Sequence, residues 1–203
     1  MKRPDDNEKL AADAFTNQSV IFDELYANNT IIQYKRERVR EHMLRYLNHR
    51  GRILELNAGT GDDAVFFAGK GYYVHATDIS EGMQIKLKEK IILHQLTGFV
   101  SNEICSYTAL DKLVNKGPYD HIFSNFAGLN CTGKLENVLA SFDNLLKPGG
   151  MVTMVMLPKF CLWELLLLFK GKFKTATRRF FSSKGRTAHL NGSYFTCWYY
   201  SPK

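Results

Sequence analysis

The sequence predicts an α/β fold with a parallel central sheet of order 3-2-1-4-5 and flanking helices. Short apolar runs alternate with segments of helical period along most of the 203 residues, and this alternation is typical of consecutive βα units. Right-handed crossovers leave few other arrangements for five such units. With 45% hydrophobic residues, the chain can bury a core of that size.

The predicted strands are short and mostly apolar, and the helices between them carry apolar residues at helical spacing. The strands cover residues 52–57, 72–77, 100–105, 119–124 and 151–157. The helices cover residues 31–47, 62–70, 80–96 and 135–146. Ser80 is a suitable N-cap for the third helix. We expect a helical lid segment over 1–50, a core over 51–158 and a cap with a C-terminal strand over 159–203.

The alternation stops after residue 157. Residues 160–181 are apolar and basic, and an aromatic run follows over Tyr194–Tyr200. Seven strands are expected of this architecture. Either the C-terminal residues supply the last two in an unusual form, or the sequence is truncated before them.

The net charge of +7 is concentrated in residues 159–186, called here the basic segment. It holds eight basic residues and one acid, Glu164. In one reading its apolar side chains wall a substrate pocket while its basic ones meet an acidic membrane surface or an anionic substrate. In the other it is a helical cap with a buried apolar face and a solvated basic face. The apolar candidates are Trp163, Leu166, Leu167, Phe169 and Phe173, and the basic ones are Lys170, Lys172, Lys174, Arg178 and Arg179.

Membrane spanning and secretion are not expected. No run of about 18 apolar residues occurs, and the first residues contain no apolar core of a signal peptide. The four cysteines are widely spaced, without a C-x-x-C pair or zinc-ligand spacing, which is typical of reduced thiols. We therefore expect a cytoplasmic protein without a metal site.

A glycine-rich turn joins the first strand to the following helix, where backbone N–H groups can approach a ligand. Its spacing fits the dinucleotide fingerprint G-x-G-x-x-A through Gly59, Gly61 and Ala64. However, Asp62 and Asp63 follow at once, and we expect no nearby Lys or Arg to offset them. These carboxylates would repel a pyrophosphate. A ligand that is cationic and lacks phosphate, such as S-adenosylmethionine, is favoured.

Two acids end neighbouring strands. Glu55, at the end of the first strand, can face the cationic end of such a ligand. Asp78 ends the second strand, where its carboxylate can accept both hydroxyls of a ribose. The alternative is that Asp78 only opens the next helix, beside Ser80.

Four blocks of residues resemble the class I S-adenosylmethionine-dependent methyltransferases, and more narrowly the small-molecule branch similar to ubiquinone and menaquinone methyltransferases. The blocks, in the order and spacing of that family, are Ile53–Gly61, Ala76–Ser80, Tyr119–Asn125 and Leu145–Gly150. The resemblance implies a Rossmann-like fold. It also implies in-line methyl transfer from S-adenosylmethionine to a small-molecule acceptor, lipid-like or aromatic.

For the methionine half of the donor, the resemblance implies that Glu55 faces the amino-acid end. Ala58, Gly59 and Gly61 form the backbone cradle, and Asn125 lies near the methyl group. Asn57 stands where the family usually has glycine, which is tolerable because Asn visits left-handed conformations more readily than most residues.

For the adenosine half, the resemblance places Asp78 on the ribose and the adenine between Ile79 and Met83. The family often has an acid after the third strand that holds the adenine amino group. Ser106, before Tyr107, occupies that position here.

No catalytic residue is assigned, because alignment alone supplies much of the rate of a methyl transfer. His121 and His189 are more simply structural, as is Asp120 at the start of its strand. The aromatic residues of the N-terminal helix are either a lid over the donor or a hydrophobic anchor. These are Phe15, Phe22 and Tyr26.

Two other classes of function stay open. A dinucleotide-binding oxidoreductase uses a similar turn, and a non-catalytic Rossmann-like module could touch nucleic acid through the basic segment. The four intact donor blocks disfavour both, so we do not expect nucleic acid as a partner. The sequence predicts no oligomeric state.

Overall fold

The computed structural model describes residues 6–180 and 182–201. Its central sheet has five strands, and every neighbouring pair is parallel. The strands are β1 (Arg52–Leu56), β2 (Tyr73–Asp78), β3 (Val100–Ile104), β4 (Tyr119–Ser124) and β5 (Leu146–Met154). Their order, β3-β2-β1-β4-β5, confirms the predicted topology.

Helices α3 and α4 cover one face of this sheet and α5 covers part of the other. The α-helices of the described residues are α1 (Asp6–Ala27), α2 (Thr30–Leu44), α3 (Asp62–Gly69), α4 (Glu81–Leu93), α5 (Leu135–Ala140), α6 (Leu162–Leu165) and α7 (Phe173–Thr177). Short 3₁₀ turns lie at Tyr107–Lys112, Gly128–Cys131, Phe142–Asn144 and Leu166–Lys170. Ser80 caps α4 as predicted, because its Oγ accepts a hydrogen bond from the backbone N–H of Met83 at 3.3 Å.

Alternate side chains of the strands enter two separate cores. Ile53 and Phe123 pack with α3 and α4 on one face, against residues such as Phe67. Leu54 and Ile122 point to the other face and pack with the 3₁₀ turns and α5. Both faces of the sheet are covered at its centre, so β1 and β4 are buried along most of their length.

Two further strands lie outside the central sheet. β6 (Arg186–Leu190) and β7 (Ser193–Cys197) form an antiparallel hairpin that is a sheet of its own. The C-terminal residues therefore form two antiparallel strands that do not extend the central sheet. The hairpin packs on α1, where the Phe15 and Phe195 ring centroids are 6.0 Å apart.

The segment around β5 differs from the prediction. The strand begins at Leu146 instead of 151 and ends at Met154 instead of 157, and the preceding helix stops at Ala140. The reason is local pairing: the backbone N–H of Tyr119 donates to the carbonyl of Leu145 at 2.8 Å, so the chain joins the sheet before the Pro-Gly-Gly sequence. A register shift between β4 and β5 then accommodates the Pro-Gly-Gly sequence.

The basic segment is not a single cap helix. It contains α6, a 3₁₀ turn and α7, and its one acid is engaged with two arginines. Glu164 Oε1 lies 2.6 Å from Arg178 Nη2 and 2.7 Å from Arg179 Nη2. In the described part of the chain, no helix has both the length and the apolarity needed to cross a membrane.

We predict that Gly82→Ala destabilises the fold by about 1–3 kcal/mol, the usual range for an overpacked contact. A Cβ at this position of α4 would lie 2.6 Å from Ser19 Oγ and 2.9 Å from the Thr16 carbonyl, and both groups belong to α1. Urea unfolding of both proteins measures the difference. Gly69→Ala is the matched control, because its Cβ would meet nothing within 4 Å. Equal stability of the two variants would contradict the contact between α1 and α4.

Candidate cofactor and acceptor site

A cavity of about 380 Å³ lies at the carboxyl edge of the central sheet. Parallel α/β sheets bind ligands at this edge, and the volume is within the range of small-molecule sites. The loops after β1, β2 and β4 and the turn after β3 contribute to its walls. Helix α1 contributes a long face, and the β6–β7 hairpin adds His189, Leu190 and Phe195.

The glycine-rich turn has the left-handed backbone that its sequence requires. The φ angles of Asn57, Gly59 and Gly61 are 47°, 58° and 82°, so Asn57 adopts the left-handed conformation in which it can replace glycine. The Asn57 side chain joins two loops, because its Nδ2 donates to the Asn125 carbonyl at 3.0 Å and its Oδ1 accepts from Ser124 Oγ at 2.7 Å.

The predicted cradle residues divide into two groups. Asn57 and Gly59 line the cavity, whereas Ala58 and Gly61 do not. The Ala58 N–H is engaged with the Thr77 carbonyl at 2.9 Å. A Cβ on Gly61 would lie 2.1 Å from Leu87 Cδ1, so this glycine permits close packing of the turn on α4.

Asp78 lines the cavity at the end of β2 and also holds the surrounding loops. Its Oδ2 accepts from the Gly59 N–H at 2.9 Å, and its Oδ1 accepts from the Ser80 N–H at 2.8 Å. Burial raises the pKa of Asp78, against the opposing effect of these N–H groups. Each oxygen keeps further acceptor capacity, so opening α4 and accepting ribose hydroxyls are compatible roles.

The side of the cavity that follows β2 and β3 is mostly apolar. Ile79, Met83 and Tyr107 line it together. Burial raises the pKa of Tyr107 well above its ordinary value, and nearby Glu8 and Asp78 are among the further causes. Ser106 does not line the cavity; its Oγ instead donates to Glu8 Oε2 at 2.5 Å.

Glu55 lies behind the turn, not in the cavity wall. Its side chain is buried, and Oε2 has no hydrogen-bond partner among the described residues. Burial raises the pKa of Glu55 well above its ordinary value, Asp63 raises it further, and Arg36 and Arg40 lower it. Direct contact of Glu55 with the amino-acid end of a donor therefore stays a prediction.

The expectation that no cation offsets Asp62 and Asp63 was wrong. Arg36 Nη1 lies 2.8 Å from Asp62 Oδ2, Arg40 Nε lies 2.6 Å from Asp63 Oδ1, and Lys90 pairs with Asp62 as well. Despite burial, Arg36 and then Lys90 lower the pKa of Asp62. These cations come from α2 and α4 and are distant in sequence. They are engaged with the carboxylates, so charge repulsion by itself does not exclude a pyrophosphate.

Asn125 follows β4, lines the cavity and is buried. Its Nδ2 donates to Asp63 Oδ2 at 2.9 Å, and its Oδ1 accepts from the Phe126 N–H at 2.8 Å. The side chain is thus fixed from both ends. Its nearness to a transferred methyl group stays a prediction.

Helix α1 covers the cavity, and we call it the lid helix. The three predicted aromatic residues, Phe15, Phe22 and Tyr26, all line the cavity. Polar bonds tie the helix to the loops beneath it. Thr60 Oγ1 donates to Asp23 Oδ1 at 2.6 Å, and the Thr16 and Ser80 hydroxyl oxygens are 2.8 Å apart.

The apolar residues of the basic segment do not wall the cavity. Trp163 is 81% exposed and Phe169 is 88% exposed. Neither residue walls a pocket or lies on a buried face of a cap helix, so both alternatives are wrong for these two residues. The short helices α6 and α7 contain only one buried residue, Ala176, which explains why this surface is left uncovered.

The two histidines have different positions. His121 is buried within the sheet, its Nε2 lies 2.8 Å from Thr153 Oγ1, and burial followed by the charge of His42 lowers its pKa to about 4. It is structural, as is Asp120, which accepts from the Arg52 N–H at 2.7 Å. His189 lies in β6 and lines the cavity.

Several lining residues were not predicted from the sequence. On α1 a helical period was visible, because lining residues recur at spacings of three or four along Glu8, Ala11, Phe15, Gln18, Phe22 and Tyr26. The hairpin and α2 residues carried no such signal, since their contact depends on tertiary packing. The residues missed are Glu8, Ala11, Ala12, Gln18, Ile32, Arg36, Phe126, Gly128, Cys131, His189, Leu190 and Phe195.

The fold of residues 53–150 and this site are similar to those of the class I S-adenosylmethionine-dependent methyltransferases. The same residues match the family model described as "Methyltransferase domain". A putative methyltransferase, YqeM of Bacillus subtilis (strain 168), is 29% identical over 109 residues, which are 52% of this chain and 42% of that protein. The chain therefore spans less than half the length of this curated relative.

Solved structures share the fold over most of the chain. A structure described as a DhpI-SAM-HEP complex has a TM-score of 0.67 at 18% identity and covers 99% of this chain and 86% of its own. The [4+2]-cyclase SpnF has a TM-score of 0.67 at 13% identity and covers 80% of this chain and 65% of its own. A magnesium protoporphyrin IX methyltransferase (ChlM) from Synechocystis PCC 6803, with bound SAM, has a TM-score of 0.58 at 17% identity, covering 72% and 75%.

We predict that Asn57→Ala destabilises the protein more than Asn57→Gly, by about 1–2 kcal/mol, which is the cost of a left-handed backbone at a residue with a Cβ. Both changes remove the same side-chain hydrogen bonds, so the difference isolates the conformation at φ 47°. Thermal and urea unfolding of the two variants measure it. Equal stabilities would show that the turn relaxes to another conformation.

Proposed function

We propose that this chain binds S-adenosylmethionine and transfers its methyl group in line to a small apolar or aromatic acceptor. The observation that carries the proposal is that Asp78, Gly59 and Asn125 share one cavity with the aromatic face of the lid helix. Each of the three lies where the resemblance implies a donor contact. The proposal does not rest on the fold, because one similar structure is a cyclase.

The residues present fit the donor. Asp78 keeps free acceptor capacity for a ribose, and Ile79, Met83 and Tyr107 form an apolar slot suited to a purine. Near the turn, Oε2 of the buried Glu55 has no described partner and is a hydrogen-bond acceptor on the side where the resemblance implies the donor's amino-acid end. The donor supplies an electrophilic methyl group, and the chain supplies its orientation.

The acceptor class follows from the other walls of the cavity. Phe22, Tyr26, Ile32, Phe126 and Phe195 surround this part with apolar and aromatic surface. Apolar walls with few polar groups favour an acceptor of the same character. Arg36 also lines the cavity, with one nitrogen, Nε, buried and without a described partner. Arg36 could therefore pair with an anionic group of the methyl donor or of the acceptor.

The chain's contribution to the transfer is mainly alignment and exclusion of water. Holding two reactants in line is worth roughly 7 to 11 kcal/mol of the barrier, and the lid helix covers the reacting region. An acceptor with a hydroxyl or phenol group would also benefit from a base. We propose His189, which lies at the cavity wall in β6, as this base.

We predict that Asp78→Ala weakens binding of S-adenosylhomocysteine at least tenfold, equivalent to about 1.4 kcal/mol of charged hydrogen bonding to the ribose. Isothermal titration calorimetry measures the change. Asp143→Ala, at an exposed position far along the chain, is the control and keeps the wild-type affinity. An Asp78→Ala protein that is folded and binds with unchanged affinity would exclude Asp78 from ribose recognition.

We propose further that the basic segment contacts an acidic membrane surface, which would suit an acceptor of lipid-like character. Its aromatic residues Phe169 and Phe173 adjoin Lys170 and Lys172 in the sequence, and all four side chains are exposed to solvent, as is Trp163. Exposed aromatic side chains next to lysines are typical of interfacial segments. A cytoplasmic location stays a prediction from the spacing of the cysteines.

We predict that vesicles containing phosphatidylserine retain the protein at low salt and release it as the ionic strength rises. Replacing Lys170, Lys172 and Lys174 by Gln weakens retention roughly a hundredfold, from about 1 kcal/mol per lysine. Cosedimentation measures it. The matched control replaces three exposed lysines elsewhere, Lys35, Lys88 and Lys116, with the same change in net charge. Equal loss in both triple variants, or no retention of the wild type, would contradict the surface.

A further inference from the structure

We propose that Glu8 of the lid helix accepts a hydrogen bond from the 6-amino group of the donor's adenine. This inference rests on the proposed function and assigns the adenine subsite to a residue outside the matched domain. The resembling family often uses an acid directly after the third strand, and this chain has Ser106 there. The structure supplies a carboxylate to the same place from the N-terminal helix.

The position of Glu8 is unusual for a glutamate in the first turn of a helix. It lines the cavity and is only 2% exposed. Its Oε2 accepts hydrogen bonds from Ser106 Oγ at 2.5 Å and from Thr108 Oγ1 at 2.9 Å. The two hydroxyls therefore fix the orientation of the carboxylate.

The proposal depends on the other carboxylate oxygen of Glu8. Oε1 is buried and has no hydrogen-bond partner among the described residues. An unpaired buried carboxylate oxygen costs free energy, and buried polar groups nearly always find a partner. A ligand in the adjoining cavity with a hydrogen-bond donor group would provide a partner for Oε1.

The residues around Glu8 indicate which kind of hydrogen-bond donor would fit. Ile79, Met83 and Tyr107 line the cavity with Glu8 and present a mostly apolar surface. Asp78 lines the same cavity. Its charge and that of Glu8 both raise the pKa of Tyr107, which lies close to the two carboxylates. A ligand whose ribose lies on Asp78 and whose planar base fills the apolar slot can bring a neutral amine to Glu8. The 6-amino group of adenine has this chemistry.

This arrangement makes recognition of the base depend on the lid helix. Ser106 and Thr108, which follow β3, position Glu8, and the Thr16 to Ser80 and Asp23 to Thr60 contacts hold the rest of the helix over the site. In this account, the adenine pocket is complete only when α1 is docked. Donor binding should therefore stabilise the docked helix.

The test compares S-adenosylhomocysteine with its analogue that lacks the purine 6-amino group, by calorimetry on the full chain. We expect the wild type to bind the first at least tenfold more tightly than the second, a typical value for a hydrogen bond to a charged group. In Glu8→Ala this ratio falls to about one. Glu8→Gln, which keeps one acceptor oxygen, gives an intermediate ratio, and Glu24→Ala, at an exposed site on the same helix, keeps the wild-type ratio.

The ratio separates recognition from a purely structural role. If Glu8 only anchors the lid helix, Glu8→Ala weakens both ligands equally and the wild-type ratio survives, which would overturn the assignment. A wild type that binds both ligands equally would overturn it as well. Failure of the wild type to bind S-adenosylhomocysteine at all would instead refute the proposed function, so the two failures are distinguishable.

Discussion

The neutralisation of carboxylates at the start of α3 is the constraint on which the rest of the site depends. Asp62, Asp63 and the buried Glu55 lie close together at the carboxyl end of β1, and unpaired buried charges of one sign would be costly. Arg36 and Arg40 of α2 and Lys90 of α4 balance them. Because Lys90 also pairs with Asp23 at 2.9 Å, the same charges hold α1 and α2 over the sheet edge.

The docked lid helix turns an open edge into an enclosed site. Its aromatic face, Glu8 and Gln18 complete walls that the loops after β1, β2 and β4 leave open. The hairpin packs against this helix through Phe195, so the C-terminal strands support the site without joining the central sheet. The regions before and after the matched domain therefore shape the part of the cavity that faces the proposed acceptor.

Sequence patterns could predict the elements whose signals are local. The five strands, their order, the Ser80 cap and the left-handed Asn57 follow from periodicity, turn chemistry and the rules of parallel sheets. The cations beside Asp62 could not be found by inspecting neighbouring positions, because helix packing brings them from α2 and α4. The exposure of Trp163 and Phe169 was likewise hidden, since an apolar run looks the same whether or not anything covers it. Ser106 signalled a missing acid, but the identity of its replacement required the path of α1.

The proposed function requires that the cavity bind S-adenosylmethionine and not a dinucleotide. Calorimetric titration of the full chain with S-adenosylhomocysteine and, separately, with NAD distinguishes the two ligands. We expect saturable binding of S-adenosylhomocysteine and no detectable binding of NAD under the same conditions. Saturable binding of NAD without binding of S-adenosylhomocysteine would contradict it, and the cations around Asp62 would then have to be reconsidered as partners of a pyrophosphate.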